Sequence, residues 1–337
     1  MSSDTKQKEK VSSGGSGERD SGRSRMAQSQ QEYYVSLVVR LTIIAIAIVF
    51  ALFPVLFVAS SAFNPAGTLS TQSLLPSGIG GLDDLTTNFR ALMVDELDQF
   101  PFWYWIGNST FVAGVSTILI VLVSALAAYS FSRFRFTGRR SLLLFILLVQ
   151  AFPNLLAMVA IFLILNDISR IAEVIPQALP FLDFIDWSFI GLFGLNSLGG
   201  LIFVYLGGAM GVNTWLMKGF FDSIPKDIDE SAVVDGATHW QTFWILIFPL
   251  VRPILVVVGI LAFVGTFNEF VLARIVLRDK EQWTLMLGLF QFINADFNRD
   301  WGKFAAGALV SAVPVVAIYL ALQDQIVGGL TVGAVKG

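Results

Sequence analysis

The sequence contains no cysteine. Disulfides, thiolate nucleophiles and Cys-based zinc sites are therefore excluded. It contains one histidine, His239, so neither a multi-His metal site nor a His-Glu-x-x-His zinc motif can be built. No Ser/His/Asp set and no paired-carboxylate constellation stands out, which leaves a membrane-embedded enzyme without a catalytic cluster. Charge is also scarce. Only 14% of residues are Asp, Glu, Lys or Arg, against about 25% in an ordinary soluble domain. The net charge of −3 is small and carries no argument for nucleic acid. What is abundant is apolar residues, 55% of the chain, a balance that fits a bilayer better than water.

Apolar residues are in turn nearly absent from 1–31, a Ser/Gly/charged segment. Such a segment buries too little surface to offset its ordering entropy and is expected to be disordered. No short apolar run with a small-residue cleavage site follows, so it does not read as a signal peptide. Met26 is an alternative start.

A helix needs about 20 mostly apolar residues to cross a bilayer. Six segments meet that length: about 41–63, 105–131, 142–165, 198–221, 254–273 and 304–322. The fold class expected is an all-α integral membrane protein with six spans in a permease domain over 35–323. Residues 178–197 are apolar too, but Asp183 and Asp186 argue for an interfacial segment. Six spans put both termini on one side. With the termini in the cytoplasm, fifteen Lys/Arg fall inside and seven outside, which agrees with the positive-inside rule. The loop at 274–303, with five basic residues, is the discordant piece. This orientation makes 222–252 a cytoplasmic loop between the fourth and fifth spans, and 324–337 a cytoplasmic tail. The aromatic run Phe100–Trp105 reads as an interface belt where the second span begins.

The cytoplasmic loop holds the most informative stretch, "IPKDIDESAVVDGATHW" (224–240). Acids crowd the first turn of a helix starting near Asp227, where they favour the positive end of its dipole. Pro225 suits a helix start, and Gly236 falls where a helix would end. Thr238 followed by Gln241 fits a capping box that opens a second helix. Ala232 and Gly236, four apart, share a face with Ser231 and Ala237 beside them. That face is expected to be a small-residue docking notch, latched by the carboxylate of Glu230.

The spacing of this stretch resembles the signature loop of ABC-importer permeases: "EAA", three residues, Gly, nine residues, "I-x-L-P". Glu230, Ala232, Gly236 and Pro249 match it. Ser231 stands for the first Ala, and Leu246 and Phe248 replace the Ile and Leu. "NTWLMKGFFDSIP" (213–225), "FNEF" (267–270), "DWGKFAAGAL" (300–309) and "VGGLTVGAVKG" (327–337) are similar to the maltose-type, MalG-like carbohydrate permeases of type I importers. The resemblance covers about 35–337. It implies one of two different permease subunits in the bacterial plasma (inner) membrane, serving maltose, maltodextrin or a related disaccharide such as trehalose. A cytoplasmic ATPase dimer would dock on Asp229, Glu230, Ser231, Ala232, Val233, Asp235, Gly236, Ala237 and Pro249, and on the tail through Gly328, Gly329 and Lys336. An external sugar-binding protein would dock on the opposite face, near the loop that carries Phe292 and Asn294.

No cofactor of the chain itself is expected. The one Gly-Lys pair, Gly302-Lys303, lacks the upstream glycine of a phosphate-binding loop, so ATP would be bound by another polypeptide. Glu269, with Asn268, sits near the outer end of the fifth span. It reads equally as a functional intramembrane acid or as a hydrated headgroup-level residue. Gly207 and Gly211 form a GxxxG that reads as close helix packing or as an unwound substrate site. The rival class is an ion-gradient-driven secondary transporter. It would need charges near the bilayer midplane and a clear inverted repeat, and neither stands out.

Overall fold

The computed structural model describes residues 14–65, 82–178, 188–294 and 300–334, and every regular element among them is helical. The chain divides into two units, 1–58 and 59–337. The first unit is dominated by α1 (Gly14–Ala62), of which Tyr33–Ala62 is long and apolar enough to cross a membrane. The helix begins at Gly14, inside the segment expected to be disordered, and 1–13 lies outside the described residues. No proline interrupts 14–53, and a helix once nucleated gains one bond per residue as it propagates.

The second unit contains α2 (Leu82–Arg90), α3 (Phe102–Arg133), α4 (Arg139–Gln150), α5 (Asn154–Ala178), α6 (Ser188–Gly191), α7 (Leu198–Ser223), α8 (Asp227–Val234), α9 (His239–Gln241), α10 (Phe248–Leu250), α11 (Arg252–Phe267), α12 (Val271–Val276), α13 (Leu285–Phe290) and α14 (Trp301–Ala334). Of these, α3 and residues Trp301–Gln325 of α14 are long and apolar enough to span. α7 bends by 51° near its middle, and α9–α10 meets α11 at 77°. Counting each bent pair as one crossing brings the described total to five, α1 included.

Three expected spans are altered. The third, 142–165, is broken between α4 and α5 at 151–153, because Pro153 has no N–H to donate and disfavours helix in the residue before it. The fifth, 254–273, stops at Phe267 and restarts as α12. The sixth runs on to Ala334 through the expected tail, since no proline follows Pro314 to end it.

The central helix is α3, about 48 Å long at 1.5 Å per residue. Ser109, Ala113, Ser116, Ile120, Ser124, Ala128 and Ser132 are all buried along it, at the three- and four-residue steps of one helix face. Six of those seven are Ser or Ala, and small residues let neighbouring backbones approach closely where no hydrophobic effect drives helices together. α7 and α11 pack on α3, and α14 packs on α11. Two apolar clusters result. One surrounds Phe102 and Trp105 with Leu201, Phe263, Leu285 and Phe292. The other surrounds Ala125, Ala128 and Tyr129 with Phe221, Phe243 and Ile247. The belt expected at Phe100–Trp105 is therefore divided: Trp103 and Tyr104 are exposed, whereas Phe102 and Trp105 are core.

Trp105 lies directly over Gly288, where an added Cβ would overlap the indole ring, while Gly207 has nothing within 4 Å. Gly288→Ala should therefore cost about 1–3 kcal/mol of overpacking and lower the thermal midpoint of the detergent-solubilised protein. Gly207→Ala should leave it at or above the original value.

Candidate functional site

The predicted helix–glycine–helix is present. α8 covers Asp227–Val234, with Asp227, Asp229 and Glu230 in its first turn. The Gly236 amide donates to the Val233 carbonyl (3.0 Å), and the Ala237 amide donates to the Ala232 carbonyl (2.9 Å). This is a Schellman closure, which needs a left-handed residue after the helix. Gly236 supplies it with φ +85°. Thr238 then accepts from the Gln241 amide, and its own amide donates to the Gln241 side chain (2.8 Å), completing the predicted capping box. A π-helical stretch, Thr242–Ile247, leads through α10 to the sharp bend before α11.

Geometry changes which residues face outward. Ala232, expected in the docking notch, is buried. Gly236 follows the helix in a left-handed turn, so it is out of register with Ala232 and the two do not form a shared helix face. Asp229 also turns inward and forms an ion pair at 2.9 Å with Arg133, at the end of α3; their side chains are 17% and 6% exposed. Burial pushes the Asp229 carboxyl up, and the Arg133 guanidinium pulls it back in part. Exposed residues are Glu230, Ser231, Val233, Val234, Asp235 and Gly236 on the loop, and Pro249 further on. Ala237 is half-buried.

Arg133 was the residue missed. In the sequence it belongs to a basic run that serves only to orient the chain. In the structure it also donates through Nη2 to the Ile224 carbonyl at 3.2 Å, where α7 ends. Its neighbour Ser132 donates to Asp222 (2.6 Å), which pairs with Lys218 one turn back on α7. A cavity of 290 Å³ lies beside the pair, lined by Tyr129, Arg133, Phe134, Lys226, Asp229, Glu230, Val233 and His239. His239 stacks edge-on against Phe134, with ring centroids 5.2 Å apart.

The outer candidates separate. Glu269 is fully engaged: it accepts from the Tyr205 hydroxyl (2.7 Å) and from the Leu272 and Ala273 amides (2.8 and 3.1 Å). It thereby caps α12 across the break in the fifth apolar segment. Asn268 is exposed and donates to the Val264 carbonyl (2.9 Å). Phe292 is not a surface contact; it is 3% exposed and packs on Phe100 and Trp105. Its apolar ring is taken up by the core, a distinction its loop position in the sequence cannot carry. Asn294 is half-buried, and 295–299 beside it lie outside the described residues. Gly328 and Gly329 lie within α14, while Lys336 is outside the described residues.

The GxxxG reading also changes. Among the described residues, nothing lies within 4 Å of a Cβ placed on Gly207 or Gly208, and Gly211 meets the Gln150 side chain. Gly207 and Gly208 instead line an open apolar cavity of 820 Å³ between α4, α5 and α7.

Gly236→Ala would force an L side chain into the left-handed region at about 1–2 kcal/mol. Amide exchange at Gly236 and Ala237 should accelerate while the amides of α3 stay protected. Thr238→Ala should cost about 1 kcal/mol through the lost cap, read as a lower melting temperature.

Comparison with known proteins identifies the family. Residues 120–327 match the family described as "Binding-protein-dependent transport system inner membrane component". The maltose/maltodextrin transport system permease protein MalG of Vibrio parahaemolyticus is 39% identical over 291 residues, 85% of this chain and 91% of that protein. MalG of Escherichia coli K12 is 38% identical over 292 residues, with the same coverage. In fold, the chain is similar to a crystal structure of a bacterial ABC transporter involved in the import of the acidic polysaccharide alginate. The TM-score is 0.64, at 24% identity, over 85% of this chain and 95% of that one. The chain thus belongs to the inner-membrane components of binding-protein-dependent transport systems, as a MalG-like ABC-importer permease, and is a transport component rather than an enzyme.

Proposed function

We propose that this chain is one of two different permease subunits of an ATP-driven sugar importer, and that α8 is its coupling helix. The cargo proposed is maltose, maltodextrin or a related disaccharide such as trehalose, on the strength of the MalG relatives. In this reading the broken pair α4/α5 completes six crossings, both termini are cytoplasmic, and 222–252 faces the ATPase. An external binding protein delivers sugar to the opposite side. The end of α14, with Gly328, Gly329 and Lys336, gives the ATPase a second contact.

The observation that carries the proposal is the form of α8. It is a short, acidic, outward-facing helix, closed at one end by Gly236, and its inner face is tied through Asp229 to Arg133 of α3, which also holds the end of α7. A loose loop could bind an ATPase without moving anything. A helix pinned to the membrane segments can transmit a push. The docking surface in this reading is the exposed set Glu230, Ser231, Val233, Asp235 and Gly236, with Pro249 beyond them. Closure of the ATPase dimer would then switch the spans from inward- to outward-facing. An ion-gradient mechanism would need an acid near the bilayer midplane, whereas Glu269 is engaged in three hydrogen bonds that cap α12.

Glu230→Lys should weaken ATPase docking by about 1–3 kcal/mol, the scale of a lost charged hydrogen bond. The readout is co-purification of the co-expressed ATPase together with uptake of labelled maltose. Uptake with no ATPase present, or normal uptake by Glu230→Lys, would sink the proposal.

A further inference from the structure

We propose that Arg133 is the positioning residue through which movement of α8 reaches α3. The inference rests on the coupling role of α8 and names the link inside this chain that such a role requires. If the eight-residue α8 is to move the 32-residue α3, some contact must fix their relative position.

Arg133 is placed to do so. It is the last residue of α3. Nε meets the Asp229 carboxylate at 2.9 Å, on the inner face of α8, and Nη2 donates to the Ile224 carbonyl at 3.2 Å, in the hinge between α7 and α8. One planar guanidinium therefore spans the ends of three segments. Arginine suits this because its charge is spread over a rigid plane that reaches both partners at once, whereas a lysine is a single point charge on a flexible stem. The ion pair is largely desolvated, so separating it leaves an uncompensated charge, an outcome that buried pairs resist strongly. The pair acts as a strut: α8 and the end of α3 stay in register while both move.

The experiment uses the complete transporter, this chain with its partner permease and ATPase, in lipid nanodiscs. The chain has no cysteine, so on cysteine-free partners two introduced thiols carry the only spin labels. Asp227→Cys and Ile118→Cys place them on exposed positions of α8 and α3. With Arg133 intact, the label separation should be narrow and equal in the nucleotide-free and ATP–vanadate-trapped states. Arg133→Met should keep its ATPase within about twofold, yet the distribution should broaden and shift by several ångströms on trapping. The charge exchange Arg133→Asp with Asp229→Arg should narrow it again.

A narrow, unmoved distance in Arg133→Met overturns the proposal, as does separation of the labels in the unsubstituted chain. Loss of the ATPase from Arg133→Met also overturns it, by assigning the residue to the docking surface. If Arg133→Met fails to assemble, Asp229→Asn gives the same readout from the other end of the strut. If Glu230→Lys leaves ATPase binding unchanged, the fault lies with the coupling role of α8, and both readings fall together.

Discussion

A bilayer offers backbone N–H and C=O groups no water, so every such group must find its partner within the protein. That constraint organises this chain. It explains why the elements among the described residues are helices, and it singles out the helix breaks as the places where side chains must intervene. At 268–270 the Glu269 carboxylate takes two amides of α12, and the Tyr205 hydroxyl steadies it from α7. At the end of α7 the Ile224 carbonyl is taken by Arg133. At 195–197, Asn196 sits at φ +57°, and its side chain accepts from the Arg278 and Asp279 amides (2.8 and 3.1 Å).

The polar residues that a hydropathy reading treats as interruptions are thus the joints of the molecule. They also tie distant segments together. Asn196 joins the start of α7 to the stretch after α12, and Glu269 joins α7 to α12. Arg133 joins α3 to α8. Between the joints, α3 provides a smooth seam of serine and alanine on which α7 and α11 ride. Small residues along α3 bring the helix backbones close together, while the polar joints fix where one segment ends against the next.

Much of this was legible from residue order. The capping box at Thr238–Gln241 and the helix end at Gly236 follow from local backbone chemistry, and both are present as predicted. The helix α3 follows a long, mostly apolar run with no proline or acid to break it. The misreadings share a cause. Ala232 and Phe292 were placed on surfaces and are buried. Gly207 was read as a helix-packing position or as part of an unwound site, and among the described residues nothing lies within 4 Å of a Cβ placed on it. In each case the residue type is compatible with either side of an element, and the sequence carries no term for what lies opposite.

Residue order alone fixes that the chain is apolar, has no thiol and has a single histidine, and it points to a short acidic helix that closes on Gly236 between apolar segments. Those properties are local: they depend on composition, on spacing within one or two turns, and on the conformations that glycine and proline permit or forbid. That Asp229 turns inward to pair with Arg133 is visible only in the packed molecule. Ninety-six residues separate the two, and nothing in the intervening sequence specifies that the end of α3 arrives beneath α8. That meeting depends on the packing of α3, α7 and the π-helical stretch around Phe221, Phe243 and Tyr129, and packing is a property of all the partners at once.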